Sequence, residues 1–184
     1  MTRIAWWIGL LCPVVAFGQG TVNLNNNFVV PGTGAMAFVL GGDCLPMAGA
    51  RGRVQVLDGQ GIVISPNLDG LGVPFVADGL FDLGILTIPG SQPGGTTGVI
   101  IRAWDSSTGL TWDAATVRGT RIVTLTGLGG GTVPPPSLAE AGNFRGIVTS
   151  PDSCIPEPGT WALAAAGAVV TMWVLRGRGA RSRG

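Results

Sequence analysis

Between residues 20 and 150 the chain is a succession of short apolar runs cut by glycine, proline and aspartate. Thr21 to Asn25 alternates, with Val22 and Leu24 on one side, the period-two mark of a half-buried strand. Ala35 to Leu40, Gly52 to Leu57 and Gly61 to Ser65 are apolar stretches bounded by turn formers, and Asp58-Gly59-Gln60-Gly61 joins the last two as a hairpin. Leu80 to Ile88, Gly98 to Trp104, Thr120 to Thr126 and Asn143 to Thr149 continue the pattern, with Asp69-Gly70 and Asp78-Gly79 as further turns. Only Asp113 to Val117 and Ser137 to Ala141 read as helical, each about one turn long. Strands joined by tight turns, without the helices that parallel crossovers use, predict a mainly β domain over residues 19–154. The expected architecture is an antiparallel β-sandwich of jelly-roll or immunoglobulin-like type.

The two ends break this rhythm. Met1-Thr2-Arg3 precedes an apolar run from Ile4 to Val15, and Ala16-Phe17-Gly18 stands before Gln19. One cation, a short apolar stretch and small residues at Ala16 and Gly18 read as a secretory signal over 1–18, cut between Gly18 and Gln19. The run is too short to anchor the chain by itself. At the other end Ile155-Pro156-Glu157-Pro158 leads into an uncharged segment from Gly159 to Leu175. As a helix it is about 26 Å long against a hydrocarbon core of about 30 Å. Leu163, Val169, Val170 and Leu175 supply its apolar surface, Trp161 and Trp173 suit the interfaces, and Arg176 can snorkel. We expect one transmembrane helix over 159–175. Arg178, Arg181 and Arg183 follow Arg176 with no acid among them, which sets the tail 176–184 on the cytoplasmic side.

Composition narrows the chemistry. Hydrophobic residues make up 46% of the chain and charged residues 11%, the reverse of a disordered sequence, so 32 glycines and 13 prolines mostly punctuate strands. There is no His, no Tyr and no Lys; all 11 cations are arginine. Triads built on histidine, His-containing zinc sites, lysine Schiff bases and phosphate-loop lysines are therefore excluded. Between residues 19 and 154 six arginines face nine carboxylates, a poor balance for nucleic acid, so no such partner is expected.

The segment 155–184 resembles the PEP-CTERM sorting signal of Gram-negative bacteria: Pro156-Glu157-Pro158, a membrane-spanning run and an arginine-rich end stand in that order. The arginines alternate with Gly, Ala and Ser rather than forming a solid block. The resemblance implies export by the general secretion machinery and transient anchoring with the carboxyl terminus in the cytoplasm. It further implies recognition by an exosortase-type membrane enzyme that cuts near Pro-Glu-Pro, followed by residence at the cell surface or outside it. It also implies a host that makes extracellular polysaccharide. Gly20 to Asn26 and Val99 to Asp105 are similar to text of other small exported proteins of this kind, and no activity travels with that likeness.

Several constellations invite chemistry, and each has a plainer reading. Gly32-Thr33-Gly34-Ala35-Met36-Ala37 matches a glycine-rich nucleotide fingerprint formally but lacks the strand–helix setting, so it reads as a loop. The aspartates suit calcium by ligand type, yet no Asp-x-Asp-x-Asn-Gly loop occurs and turn formation already accounts for Asp69 and Asp78. Paired carboxylates can cleave glycosides, but nothing in the sequence brings two together. No metal, cofactor or catalytic residue is therefore expected. Trp104 and Trp112 flank a turn: either both lie in the core, or they form a face that stacks on sugars. With Cys12 leaving in the signal, Cys44 and Cys154 remain, an even number in an exported chain, and a disulfide between them is expected. It would close a loop of about 110 residues, worth up to about 4–5 kcal/mol, and pin the stalk before Pro156 to the domain. The alternative leaves Cys154 as a free, reactive thiol.

The expected role is a sorted, non-catalytic surface or matrix protein associated with exopolysaccharide. One alternative is a permanently anchored binding module, with carbohydrate as a ligand. A second is a secreted hydrolase that uses carboxylates alone.

Overall fold

The computed structural model describes residues 18–150 except Leu68. The predicted cleavage residue Ala16, the Pro156-Glu157-Pro158 motif, the 159–175 span, the arginine tail and Cys154 lie outside the described residues. Among the described residues no helix is long and apolar enough to cross a membrane.

The domain is mainly β, and its longer pairings are antiparallel. Strand β1 (Gly20–Asn25) pairs with β5 (Asp82–Ile88) as a two-stranded ribbon. Strands β4 (Val73–Pro74), β3 (Gly52–Asp58), β6 (Thr96–Asp105) and β7 (Arg118–Thr126) form a four-stranded sheet in that order. Val54 and Val56 from β3, Val99, Ile101 and Ala103 from β6, and Val123 and Leu125 from β7 are fully buried at alternate positions. They share one apolar cluster with Val22 and Leu24 of β1 and Leu83, Leu86 and Ile88 of β5. The odd spacing of Leu83 and Leu86 would turn one of them outward in a regular strand. Gly84, at φ +65°, takes up the difference where the β1–β5 register shifts between Asn23 and Asn25.

The end of this core is closed by aromatic rings and one amide. Phe75, Phe81, Phe144 and Phe28 meet in sequence, with ring centres 6.3, 5.9 and 6.5 Å apart. Asn26, fully buried, donates to the carbonyls of Ala37 and Gly79 at 2.8 Å each and accepts from the Phe81 N–H at 2.6 Å. The Phe81 N–H and the Ala37 carbonyl are thereby satisfied, and the Gly79 carbonyl, which also accepts from the Val39 N–H, gains a second donor.

Several expectations need correction. The run from Ala35 to Leu40 is a strand only at β2 (Val39–Leu40), and Asn143 to Thr149 only at β8 (Ile147–Val148). These two pair in parallel, against the expectation of antiparallel pairing throughout. The long chain between them makes the parallel geometry possible without a crossover helix. Gly61 to Ser65 contributes a single bridge, Val63 to Leu57, because past the hairpin Ile64 and Ser65 both donate to the one carbonyl of Val56 and no regular ladder follows. Asp113 to Val117 is a loop; the one helix among the described residues is α1 (Leu138–Ala141), where Ser137 and Glu140 cap each other reciprocally.

Candidate functional site

The aspartates are occupied locally. Asp43, Asp69 and Asp82 each accept the N–H two residues on, and Asp58 accepts from Gln60 and Ile62. Asp78 accepts from Gly49, and Asp105 from the N–H and hydroxyl of Ser107. Among the described residues no three carboxylates or cysteines gather at one point. The polar chemistry concentrates elsewhere, on the outer face of the four-stranded sheet.

Cross-strand register fixes what lies there. Arg53, Trp104 and Arg118 form one row across β3, β6 and β7, and Gln55, Arg102 and Thr120 form the next. Trp104 is fully buried although it points away from the aliphatic core. One cover is the loop before β4: a Cβ on Gly72, at φ +68°, would stand 2.3 Å from the indole Cη2, so only glycine lets this backbone lie on the ring. Asn67 steadies the cover by donating to the Gly72 carbonyl at 3.0 Å. The other cover is Trp112, whose ring meets Trp104 edge-on at 6.3 Å and 83°. The Trp104 indole N–H has no acceptor among the described residues.

Trp112 rides on the β6–β7 connection. Asp105 closes one end of it through Ser107 and meets Arg51 at 3.7 Å, while Thr108 Oγ1 accepts from the Val117 N–H. From this loop the half-buried Trp112 holds two guanidiniums: Arg102 Cζ lies 5.2 Å and Arg118 Cζ 5.3 Å from its ring centre. Arg118 Nη1 also donates to the carbonyls of Trp112 and Asp113 at 2.8 and 3.2 Å. Such cation–ring contacts stabilise by about 0.5–1 kcal/mol each at exposed sites and reduce the freedom of both side chains. Arg51–Asp105 is the one ion pair among the described residues, so Arg102 and Arg118 have no carboxylate partner there.

Of the two readings for the tryptophan pair, Trp104 follows the core reading and Trp112 follows neither. It is a half-exposed brace for two cations. Arg118 was not singled out in the sequence; the signal for it is the β6–β7 register, which sets it beside Trp104 and diagonal to Arg102. Gly32 to Ala37 is a loop with a Val29–Met36 bridge, as expected.

A second concavity, about 630 Å³, lies beside β8 and is lined by Met36, Phe38, Leu40, Arg121, Arg145 and Ile147 among others. Cys44 is disulfide-bonded and, at φ +66°, is the one non-glycine residue with positive φ among the described residues. Gly18 and Gln19, the predicted cleavage pair, are exposed just ahead of β1.

The chain matches no family model, no curated protein and no solved structure.

Proposed function

We propose that this is an exported, non-catalytic surface or matrix protein. A β-sandwich, made by the β1–β5 ribbon packed over the four-stranded sheet, is carried on a carboxyl-terminal segment that an exosortase-type enzyme processes. Exopolysaccharide is its surroundings and its partner. The observation that carries this reading is the order Pro156-Glu157-Pro158, uncharged run Gly159 to Leu175 and arginines from Arg176 on, following a mainly β domain. Strand β1 begins two residues after the predicted cleavage point, and β8 ends seven residues before Ile155.

The path of the chain favours a Cys44–Cys154 bridge within this reading. Thr149 donates through its N–H (3.1 Å) and its hydroxyl (2.9 Å) to the carbonyl of Leu40, four residues before Cys44. Five residues then lead to Cys154, a reach of at most about 17 Å when extended.

Intact mass of the protein from producing cells tests the proposal. The expected product begins at Gln19 and lacks everything beyond the Pro-Glu-Pro region, and digestion without reductant yields a peptide joining Cys44 to Cys154. A chain retaining residues 159–184 would replace sorting with permanent anchoring. The second reading, an anchored binding module, is favoured by one observation, the arginine pair on Trp112.

A further inference from the structure

We propose that Arg102 and Arg118, braced on Trp112, form a binding site for a carboxylate-bearing polysaccharide such as a polyuronate. This deepens the reading above and rests on it only for the extracellular setting.

Arg102 and Arg118 are diagonal neighbours across β6 and β7 and both lie against the Trp112 ring, so the two cations repel each other over a distance on the order of the Debye length, about 8 Å at physiological salt. Most surface arginines relieve such repulsion with a nearby carboxylate. Here the β6–β7 loop carries a single acid, Asp113, and neither arginine pairs with it. A ligand anion would supply the missing countercharge. The ring contacts and the Arg118 bonds to two carbonyls already restrict the side chains, so little further ordering accompanies binding.

The chemistry of the anion follows from what surrounds it. Four backbone N–H groups of the loop, those of Ser107, Thr108, Ala115 and Val117, bond within the loop and are not turned to an anion. Recognition rests on the guanidinium forks, which match the planar carboxylate in a bidentate way. The site lies on an open sheet face beside the exposed Ile122, a shape that admits a polymer along its length. Arg53 stands in the same row but turns aside, its Nη1 donating to the carbonyls of Ala50 and Gly52. Two arginines therefore do the binding.

The test uses the full chain in detergent with polygalacturonate, neutral dextran of equal length and polyphosphate as probes. Arginines of the tail contribute equally in every variant, so the differences between variants decide. Polygalacturonate is expected to bind in preference to both other polymers. Arg102→Gln with Arg118→Gln should weaken it by about tenfold or more, the loss of charged hydrogen bonds. Asp113→Asn should tighten it by removing the one opposing charge. Arg121→Gln with Arg145→Gln removes the same charge at the groove beside β8 and should leave affinity within about twofold. Circular dichroism of each variant guards against unfolding. Equal binding of dextran, tighter binding of polyphosphate, or equal losses from the two double variants would each overturn the proposal. None of these outcomes depends on whether the tail is processed, which the intact mass decides separately.

Discussion

The two faces of the four-stranded sheet are built from the same three strands and reach opposite ends. The inner face is uniform: Val54, Val56, Val99, Ile101, Ala103, Val123 and Leu125, all aliphatic and all without exposure. The outer face mixes a buried indole, a half-buried one, two cations and an isoleucine, Ile122, that is 69% exposed. Each inner residue is held by many weak contacts that any similar side chain could make. Each outer residue is held by one or two specific neighbours: glycine over indole, ring edge on ring face, guanidinium on ring. Stability resides in the first face; the second carries the recognition site proposed above.

That division breaks or holds on paired substitutions. Ile101→Ala is expected to cost about 2–5 kcal/mol, because the cavity lies in a core that cannot collapse around it. Ile122→Ala, on the neighbouring strand β7 opposite Ile100 and facing outward, should cost under about 1 kcal/mol. Urea unfolding of both variants measures the contrast, and equal losses would mean that the outer face carries hidden packing. Gly72→Ala should fall between, at about 1–3 kcal/mol, since its Cβ drives into Trp104 and the residue must keep positive φ. Near-ultraviolet circular dichroism should show the displaced indole; an unchanged spectrum would show that Trp104 is not seated under this loop.

The smallest effect belongs to the exposed cap of α1, a helix whose Leu138 and Ala141 join the inner core. Glu140 is held below the ordinary glutamate pKa, first by the Ser137 backbone N–H and then by the Ser137 hydroxyl. A carboxyl lowered in the folded state adds stability above its unfolded pKa of about 4.3, and the contribution is lost as pH falls through the folded value. Glu140→Gln should therefore lower the unfolding midpoint slightly near neutral pH and leave it unchanged in acid, below the lowered folded value. A difference that persists in acid would assign the effect to helix propensity.

The inner face was legible from the alternation of Val22 and Leu24 and from the apolar runs of β3, β6 and β7, since burial on one side writes itself into every second residue. The turns at Asp58, Asp69 and Asp78 and the cap at Ser137 were legible too, because their chemistry is local. The parallel β2–β8 pair was not. Two residues carry no period, and the partners stand about a hundred positions apart. The outer face was half legible: Trp104 and Trp112 stood out by type, but their different fates depend on Gly72 from another loop and on Arg118 from the next strand. Contacts across strands, unlike faces, need the register before they can be read.

One feature bears on how the domain withstands being pulled. Strand β8 lies between two other parts of the chain: Ile147 donates to Phe38, Thr149 twice to Leu40, and Ser150 to Arg118 of β7. Because β2 and β8 run in the same direction, a load applied beyond Ser150 slides β8 along its neighbour and strains these bonds together in shear rather than unzipping them in turn. A tethered domain in flowing or gel-like surroundings would thus transmit force from its attachment into β2 and β7, and so into the core, before any strand comes loose.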